Sequence, residues 1–324
     1  MRTKQLGFTD LHPTVIGLGS FALGGGGWKF SWGPQDDRDS IEAIVRGVDL
    51  GVNWVDTAPV YGYGHAEEVV GLALKRCSRK PLIATKCGRS WDGNGNIHPR
   101  LKNASVQEEA EASLRRLGVD AIDLYQIHWP QPEEDIEEAW EAMARLVKAG
   151  KVRYLGLSNF TVAQMERVQP IHPIASLQPP YSMLRRDIEA EILPFCLRHR
   201  IGVVAYSPLQ KGLLTGKFSV ERARNLPPND HRRNDPMFLE PQLSANLQLI
   251  QGLGRLAKEH HMTVAELALA WVLRRPEVTA AIVGARRPGQ IEETAGAASK
   301  VLPPETIQAI ESLLDTREGP QAAR

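Results

Sequence analysis

Eight short apolar runs, separated by segments whose apolar residues recur at helical spacing, constrain this chain more than any other feature. The runs lie at Val15 to Gly19, Asn53 to Asp56, Leu82 to Thr85, Ile122 to Ile127, Val152 to Leu157, Ile174 to Leu177, Gly202 to Tyr206 and Ala280 to Val283. Between them, Asp39 to Leu50, Ala66 to Arg76, Ser105 to Leu117, Ile136 to Ala149, Asp187 to His199 and Val264 to Arg274 read as amphipathic helices. Strands alternating with such helices form a parallel sheet with crossover connections. Eight units in 324 residues predict an α/β fold, a (β/α)₈ or TIM barrel, since barrels run to about 250 residues plus insertions. The expected organisation is one domain over residues 1–324, with an N-terminal β-hairpin at 1–14 plugging the barrel floor, the barrel at 15–300, and a C-terminal helix and tail at 301–324.

Local punctuation agrees with this alternation. Ser105-Val106-Gln107-Glu108 has the form of a capping box that opens a helix, Gly51 and Gly150 sit where helices end, and Pro276 follows another stop. Two connections are too long to be simple links: Gly24 to Asp37 after the first strand and Leu209 to Asn246 after the seventh. The second contains the polar, proline-bearing stretch Leu226 to Pro236, which reads as a mobile surface loop. Both follow strand C-termini, the catalytic face of a barrel, where long loops act as lids and specificity elements.

Composition narrows the function classes. With 39 Lys+Arg against 38 Asp+Glu the formal charge is +1, which offers no basic footprint for nucleic acid. No apolar stretch approaches the roughly 20 residues that span a bilayer. Three scattered cysteines, Cys77, Cys87 and Cys196, suit neither a disulfide framework nor a zinc site, and the N-terminus lacks a signal-peptide core. A soluble protein of a reducing cytoplasm is the expectation, with no metal.

The glycine pattern Gly17-Leu18-Gly19-Ser20-Phe21-Ala22 invites a dinucleotide-fold reading, but that fingerprint needs a helix to open at the glycines, and Gly24-Gly25-Gly26-Gly27 follows instead. More informative is what the strands deliver to one rim. Asp56 ends the second strand, Lys86 follows the third and His128 the fourth, and Tyr61 lies across a short loop from Asp56 with Gly62 behind it to turn the chain. Strand C-termini of a barrel converge on one pocket, so these four meet. A tyrosine near its usual pKa of about 10 is a weak acid, and an ammonium beside it lowers that value. Lys86 suits that role, Asp56 can hold the lysine, and His128 can orient a carbonyl oxygen or share in a proton relay. Such a device protonates a carbonyl oxygen while something else attacks the carbon, and with no serine or cysteine beside a base the attacking species comes from a cofactor such as a reduced nicotinamide.

Asp56-Thr57-Ala58-Pro59-Val60-Tyr61-Gly62, then Lys86, then His128-Trp129-Pro130, resemble the catalytic signature of the aldo-keto reductase superfamily. The resemblance spans nearly the whole chain, through Gly17-Leu18-Gly19-Ser20, Gly156-Leu157-Ser158-Asn159-Phe160, Gln178, Tyr206-Ser207-Pro208-Leu209 and Ile282-Val283-Gly284-Ala285-Arg286. It implies a hydride-transfer enzyme with Tyr61 as general acid/base, Lys86 and Asp56 tuning it, and His128 orienting the carbonyl. It further implies a nicotinamide held by Ser158, Asn159 and Gln178 and stacked on Tyr206, with Gly19, Ser20 and Asp56 also bordering the cofactor. The pyrophosphate is expected around Ser207, Leu209, Gly212 and Leu213, and the adenosine end at Gly284, Arg286, Gln290 and Glu293. An arginine in that last segment, Arg286 or Arg287, can bracket a 2′-phosphate, which favours NADPH over NADH. Gln290 stands where many members have arginine and Thr294 where asparagine is usual, as in the branch that contains bacterial reductases and potassium-channel β-subunits.

Trp28, Trp32, Trp91 and Trp129 fall where loops overhang the site and are candidate substrate contacts. The expected function is NADPH-dependent reduction of aldehydes, ketones or sugar carbonyls to alcohols. The alternative is an NADPH-binding, redox-sensing regulatory subunit with slow turnover. A lyase or isomerase on the same barrel leaves the Gly284 to Glu293 segment unexplained. The expected partner is a small carbonyl compound, with neither nucleic acid nor membrane; homo-oligomerisation is open.

Overall fold

The structure is a computed structural model that describes residues 1–317, so the tail expected after the last helix lies outside the described residues. Strands β1 (Ile16–Gly19), β2 (Trp54–Asp56), β3 (Leu82–Cys87), β6 (Ile122–Ile127), β7 (Val152–Ser158), β8 (Ser176–Gln178), β9 (Gly202–Ala205) and β10 (Val278–Gly284) close into a parallel barrel. The order is β1-β10-β9-β8-β7-β6-β3-β2, which is chain order around the ring. β4 (Arg89–Trp91) and β5 (Ile97–Pro99) form a small antiparallel hairpin beyond β3, which the sequence reading did not anticipate.

Side chains alternate across each strand, so the inward set is fixed by register. A lower apolar layer of Trp54, Ala84, Leu124, Val204 and Ala280 packs together, and Leu6 and Leu11 of the N-terminal segment join it from below. That segment is a hairpin, with Lys4 N–H bonded to Pro13 O and Leu6 N–H to Leu11 O. Its Gly7 has φ +57°, and a Cβ there would stand 2.6 Å from the carbonyl oxygens of Ala175 and Arg200, so only glycine lets the tip seat against the barrel floor. Two residues further up the strands the inward positions turn polar: Asp56, Lys86, Gln126, Ser158 and Gln178 are all buried. Hydrophobic packing forms the lower layer and hydrogen bonds the upper one.

The outer ring comprises α1 (Asp37–Asp49), α2 (His65–Leu74), α3 (Asn103–Leu117), α4 (Ile136–Lys148), α5 (Val162–Val168), α6 (Ile192–Arg198), α9 (Val264–Val272) and α10 (Pro288–Ala295), with α7 (Val220–Arg224), α8 (Gln242–Glu259) and α11 (Pro304–Arg317) added. Gly51 and Gly150 take positive φ just past α1 and α4, as expected. The capping box at Ser105 does not form: α3 begins two residues earlier, and Ser105 Oγ donates to Lys102 O within the first turn. The box occurs instead at Thr161, reciprocated by Gln164, and at Thr263, reciprocated by Glu266. The span Asp187 to His199 breaks into a 3₁₀ turn, Asp187–Glu189, and the short α6. Cys87 and Cys196 are buried free thiols, and no helix among the described residues is long and apolar enough to cross a membrane.

The two long loops hold each other. Trp32 pairs with Asp230 in an antiparallel bridge, Ser31 Oγ donates to Asn229 O at 2.9 Å, and the guanidinium of Arg232 lies 4.4 Å from the Trp32 ring centre. Arg232 and Asp230 form a buried ion pair at 2.6 Å. Leu226 to Pro236 is therefore packed against the first loop, because its polar residues satisfy one another inside the contact.

Candidate active site

Above the polar layer lies a cleft of about 1900 Å³, well beyond the roughly 300–1,000 Å³ of an ordinary small-molecule pocket. Tyr61, His128 and Trp28 belong to its lining, as do Gln290 and Glu293. The three strand-end residues and Tyr61 meet as expected. Lys86 Nζ, fully buried, donates to Asp56 Oδ2 at 2.6 Å and to Thr57 O at 2.9 Å, and reaches Tyr61 Oη at 3.3 Å. The Tyr61 ring meets His128 edge-on at 5.6 Å between centres.

Local sequence explains why the phenol points there. After β2 the chain turns through Gly62 (φ +62°), Tyr63 (φ +57°) and Gly64 (φ +100°) before α2 begins. A Cβ on Gly62 would lie 2.0 Å from Gly24 O, and one on Gly24 would lie 2.8 Å from Gly62 N, so the glycine-rich first loop can press directly on the Tyr61 loop. Phe21 and Trp28 then box the Tyr61 ring, at 5.0 and 6.1 Å between centres.

Gln126 is the residue that sequence reasoning missed. The Asp56 carboxylate is gripped on its other oxygen by Gln178 Nε2 at 2.8 Å and Gln126 Nε2 at 3.3 Å. Its signal was a polar residue inside an apolar strand, two before His128 and thus on the inward face. Gln178 therefore positions Asp56 as well as facing the cleft. Asn159, at φ +63°, donates to His128 O and to Ser158 Oγ, each at 3.0 Å, and accepts from the Tyr206 hydroxyl at 2.9 Å. Ser158, Asn159, Gln178 and Tyr206 are thus brought together into one linked group.

Burial sets the protonation states. The Tyr61 phenol is held well above its ordinary value by burial and then by the nearby Asp56 carboxylate. The direction is opposite to the lowering expected from Lys86, and burial of the phenolate is its largest cause. Burial lowers Lys86, and Asp56 opposes that shift. His128 is held well below its usual range by burial and by the charges of Lys86 and Arg89, so it is a neutral imidazole. Burial also pushes Tyr206 up to about 12.

The remaining candidates divide. Gly19, Ser207, Leu209, Gly212, Gly284, Gln290 and Glu293 line the cleft, as do Trp28, Trp32 and Trp129. Ser20 and Leu213 do not: Ser20 is buried against Thr57 Oγ1 at 2.7 Å, and the Leu213 side chain belongs to the core between barrel and helices. Trp91 sits on the β4–β5 hairpin and packs on Tyr63 at 5.7 Å. Arg286 also turns away, its guanidinium bonded to Gln35 Oε1 at 2.5 Å, Trp32 O at 3.1 Å and Pro34 O. It pins the first loop, and its neighbour Arg287 lines the cleft instead.

This lining fits a nicotinamide dinucleotide. Tyr206 offers an aromatic face near the tetrad, and Ser207, Gln210, Lys211 and Gly212 all take positive φ, a coiled turn that exposes backbone to an anion. A Cβ on Gly284 would meet nothing within 4 Å, leaving open space at that end of the cleft.

A closed parallel barrel carrying Asp, Tyr, Lys and His at its C-terminal rim, beside a dinucleotide-sized cleft, defines a barrel oxidoreductase. The profile of the aldo/keto reductase family matches residues 16–315, and the chain belongs to that family. It is 39% identical over 295 residues to the aldo-keto reductase YhdN of Bacillus subtilis, covering 90% of this chain and 87% of the relative. It is 33% identical over 311 residues to the NADH-specific methylglyoxal reductase of Escherichia coli, with 92% and 93% coverage. Among solved structures, the glycerol dehydrogenase AKR11B4 from Gluconobacter oxydans superposes with a TM-score of 0.89 at 38% identity, covering 97% of this chain and 95% of its own.

Proposed function

We propose that the protein reduces aldehydes or ketones to alcohols with NADPH, Tyr61 donating the proton. The observation that carries this reading is the buried contact of Lys86 with both Asp56 and Tyr61, beside a neutral His128. A reduced nicotinamide supplies the hydride when bound. The neutral imidazole of His128 and the phenol of Tyr61 each offer a hydrogen to a carbonyl oxygen set between them, and Phe21 and Trp28 exclude water from the phenol's other side. As the oxygen gains charge, the Tyr61 proton moves to it. Lys86, already 3.3 Å from the phenol oxygen, stabilises the phenolate left behind.

The direction of the Tyr61 shift sets a pH dependence. A phenol whose pKa lies well above 10 stays protonated through neutrality, so kcat for carbonyl reduction should be flat between about pH 6 and 9. Alcohol oxidation needs the phenolate and should climb by up to about tenfold per pH unit over the same range. A reduction profile that falls across neutrality would reject Tyr61 as the donor.

Arg287 is exposed, lines the cleft and has no carboxylate partner among the described residues, which supports a 2′-phosphate contact and hence NADPH. The Escherichia coli relative is named NADH-specific, so the two nucleotides must be compared directly. Quenching of tryptophan fluorescence by each should show NADPH binding more tightly, with Arg287→Ala closing the gap by about tenfold. Loss of absorbance on adding aldehydes, ketones and sugars to the same mixture then tests turnover. Tight binding with negligible turnover of every carbonyl would favour a regulatory subunit.

A further inference from the structure

The charges along the cleft do not cancel. Each carboxylate in its lining has a cationic partner: Asp56 with Lys86, Asp187 with Arg185, Glu189 with Arg186, Asp235 with Lys211 and Glu293 with Lys217. Four lining cations, Lys29, Arg89, Arg222 and Arg287, have no carboxylate partner among the described residues. Lys29, Arg222 and Arg287 are exposed and keep much of their hydration, whereas Arg89 is half-buried. A partly desolvated guanidinium without a counter-charge is costly, and its place in a cleft points to an anion that arrives from outside.

Its position says which anion. Arg89 follows Lys86-Cys87-Gly88 at the end of β3, its charge acts directly on His128, and its guanidinium lies 5.8 Å from the Trp129 ring centre. Its one side-chain hydrogen bond among the described residues, Nη2 to Gln131 Oε1 at 2.7 Å, leaves donors of the fork unused there. The charge therefore stands beside the carbonyl-orienting histidine, on the substrate side. Lys29, on the first loop next to Trp28, adds a second positive charge to the mouth.

We propose that Arg89 is a specificity-determining residue, and that the preferred substrates are carbonyl compounds bearing a carboxylate a few bonds from the reacting carbon, held in a forked ion pair by Arg89. This rests on the reductase reading, and it narrows the substrate class. A planar carboxylate matches the guanidinium fork in two parallel hydrogen bonds, and Trp129 supplies an apolar wall for the linking carbons.

The test compares para-carboxybenzaldehyde with its methyl ester, which removes the charge and keeps the ring. The wild-type protein should give a higher kcat/KM for the acid, with the difference in KM. Arg89→Met should lower the acid-to-ester ratio by roughly tenfold to a hundredfold, the range of a charge-assisted hydrogen bond, and Arg89→Lys should restore part of it. Any change in His128 caused by removing Arg89 affects both aldehydes and cancels in the ratio. A wild-type ratio of one or below, or a ratio that Arg89→Met leaves unchanged, overturns the proposal. Binding of benzoate against benzamide, followed by quenching of the cleft tryptophans, needs no turnover. If neither aldehyde is reduced but benzoate binds in an Arg89-dependent manner, the reductase reading fails and the anion site stands. If benzoate binds no better than benzamide, the anion site fails whatever the turnover.

Discussion

Tyr61→Phe should abolish carbonyl reduction while leaving nucleotide binding within about twofold. The ring stays in its box between Phe21, Trp28 and His128, since all three contacts are made by the ring and none by the hydroxyl. Only the Lys86 contact at 3.3 Å is lost, and Lys86 keeps Asp56 and Thr57 O as acceptors, so the buried ammonium remains partnered. The change therefore removes a proton and little else. General acid catalysis of this kind contributes roughly a hundredfold to ten-thousandfold, and kcat should fall by that amount with KM nearly unchanged. Steady-state rates beside a fluorescence titration of NADPH decide the matter. A variant that loses nucleotide binding in parallel with rate would mean that Tyr61 shapes the cleft rather than donating the proton.

The barrel and its tetrad were legible because both are local patterns repeated in order. Each strand is an apolar run, and three of the four candidate catalytic residues stand at the end of one, so alternation and chain order place Asp56, Lys86 and His128 on one rim without knowledge of any contact. What was not legible depends on pairings far apart in the chain. Arg286 and Arg287 are neighbours in sequence, yet Arg286 is turned toward Gln35, about 250 residues away, and nothing local says which of the two faces the cleft. The packing of Leu226 to Pro236 on the first loop is hidden for the same reason: its composition is that of a solvated turn, and contacts with Ser31 and Trp32, among them the Asp230–Arg232 pair against the Trp32 ring, bury it. The rise of the Tyr61 pKa is a third case. Adjacency of a lysine is readable from strand order, but the burial of the phenol, against which Phe21 and Trp28 pack, depends on a distant loop.

Lys86→Met separates the structural and chemical parts of the buried cation. Removing the ammonium leaves the Asp56 carboxylate buried with, among the described residues, the amides of Gln126 and Gln178 as its side-chain donors, and stranding one member of a buried ion pair costs about 3–5 kcal/mol. The midpoint of thermal unfolding should drop by on the order of 10 °C at neutral pH. Turnover should fall as far as in Tyr61→Phe, because the developing phenolate would then face Asp56 with no cation beside it. Stability and rate come apart in the double variant Asp56→Asn/Lys86→Met. Asparagine keeps an acceptor for Gln126 and Gln178 but carries no charge, so most of the lost stability should return, whereas the phenolate still lacks its stabilising ammonium and the rate should stay low. Thermal melts and steady-state kinetics on the wild type, both single variants and the double variant complete the cycle. Recovery of rate together with stability would show that Lys86 serves only to neutralise Asp56, and would remove it from the proton-transfer step.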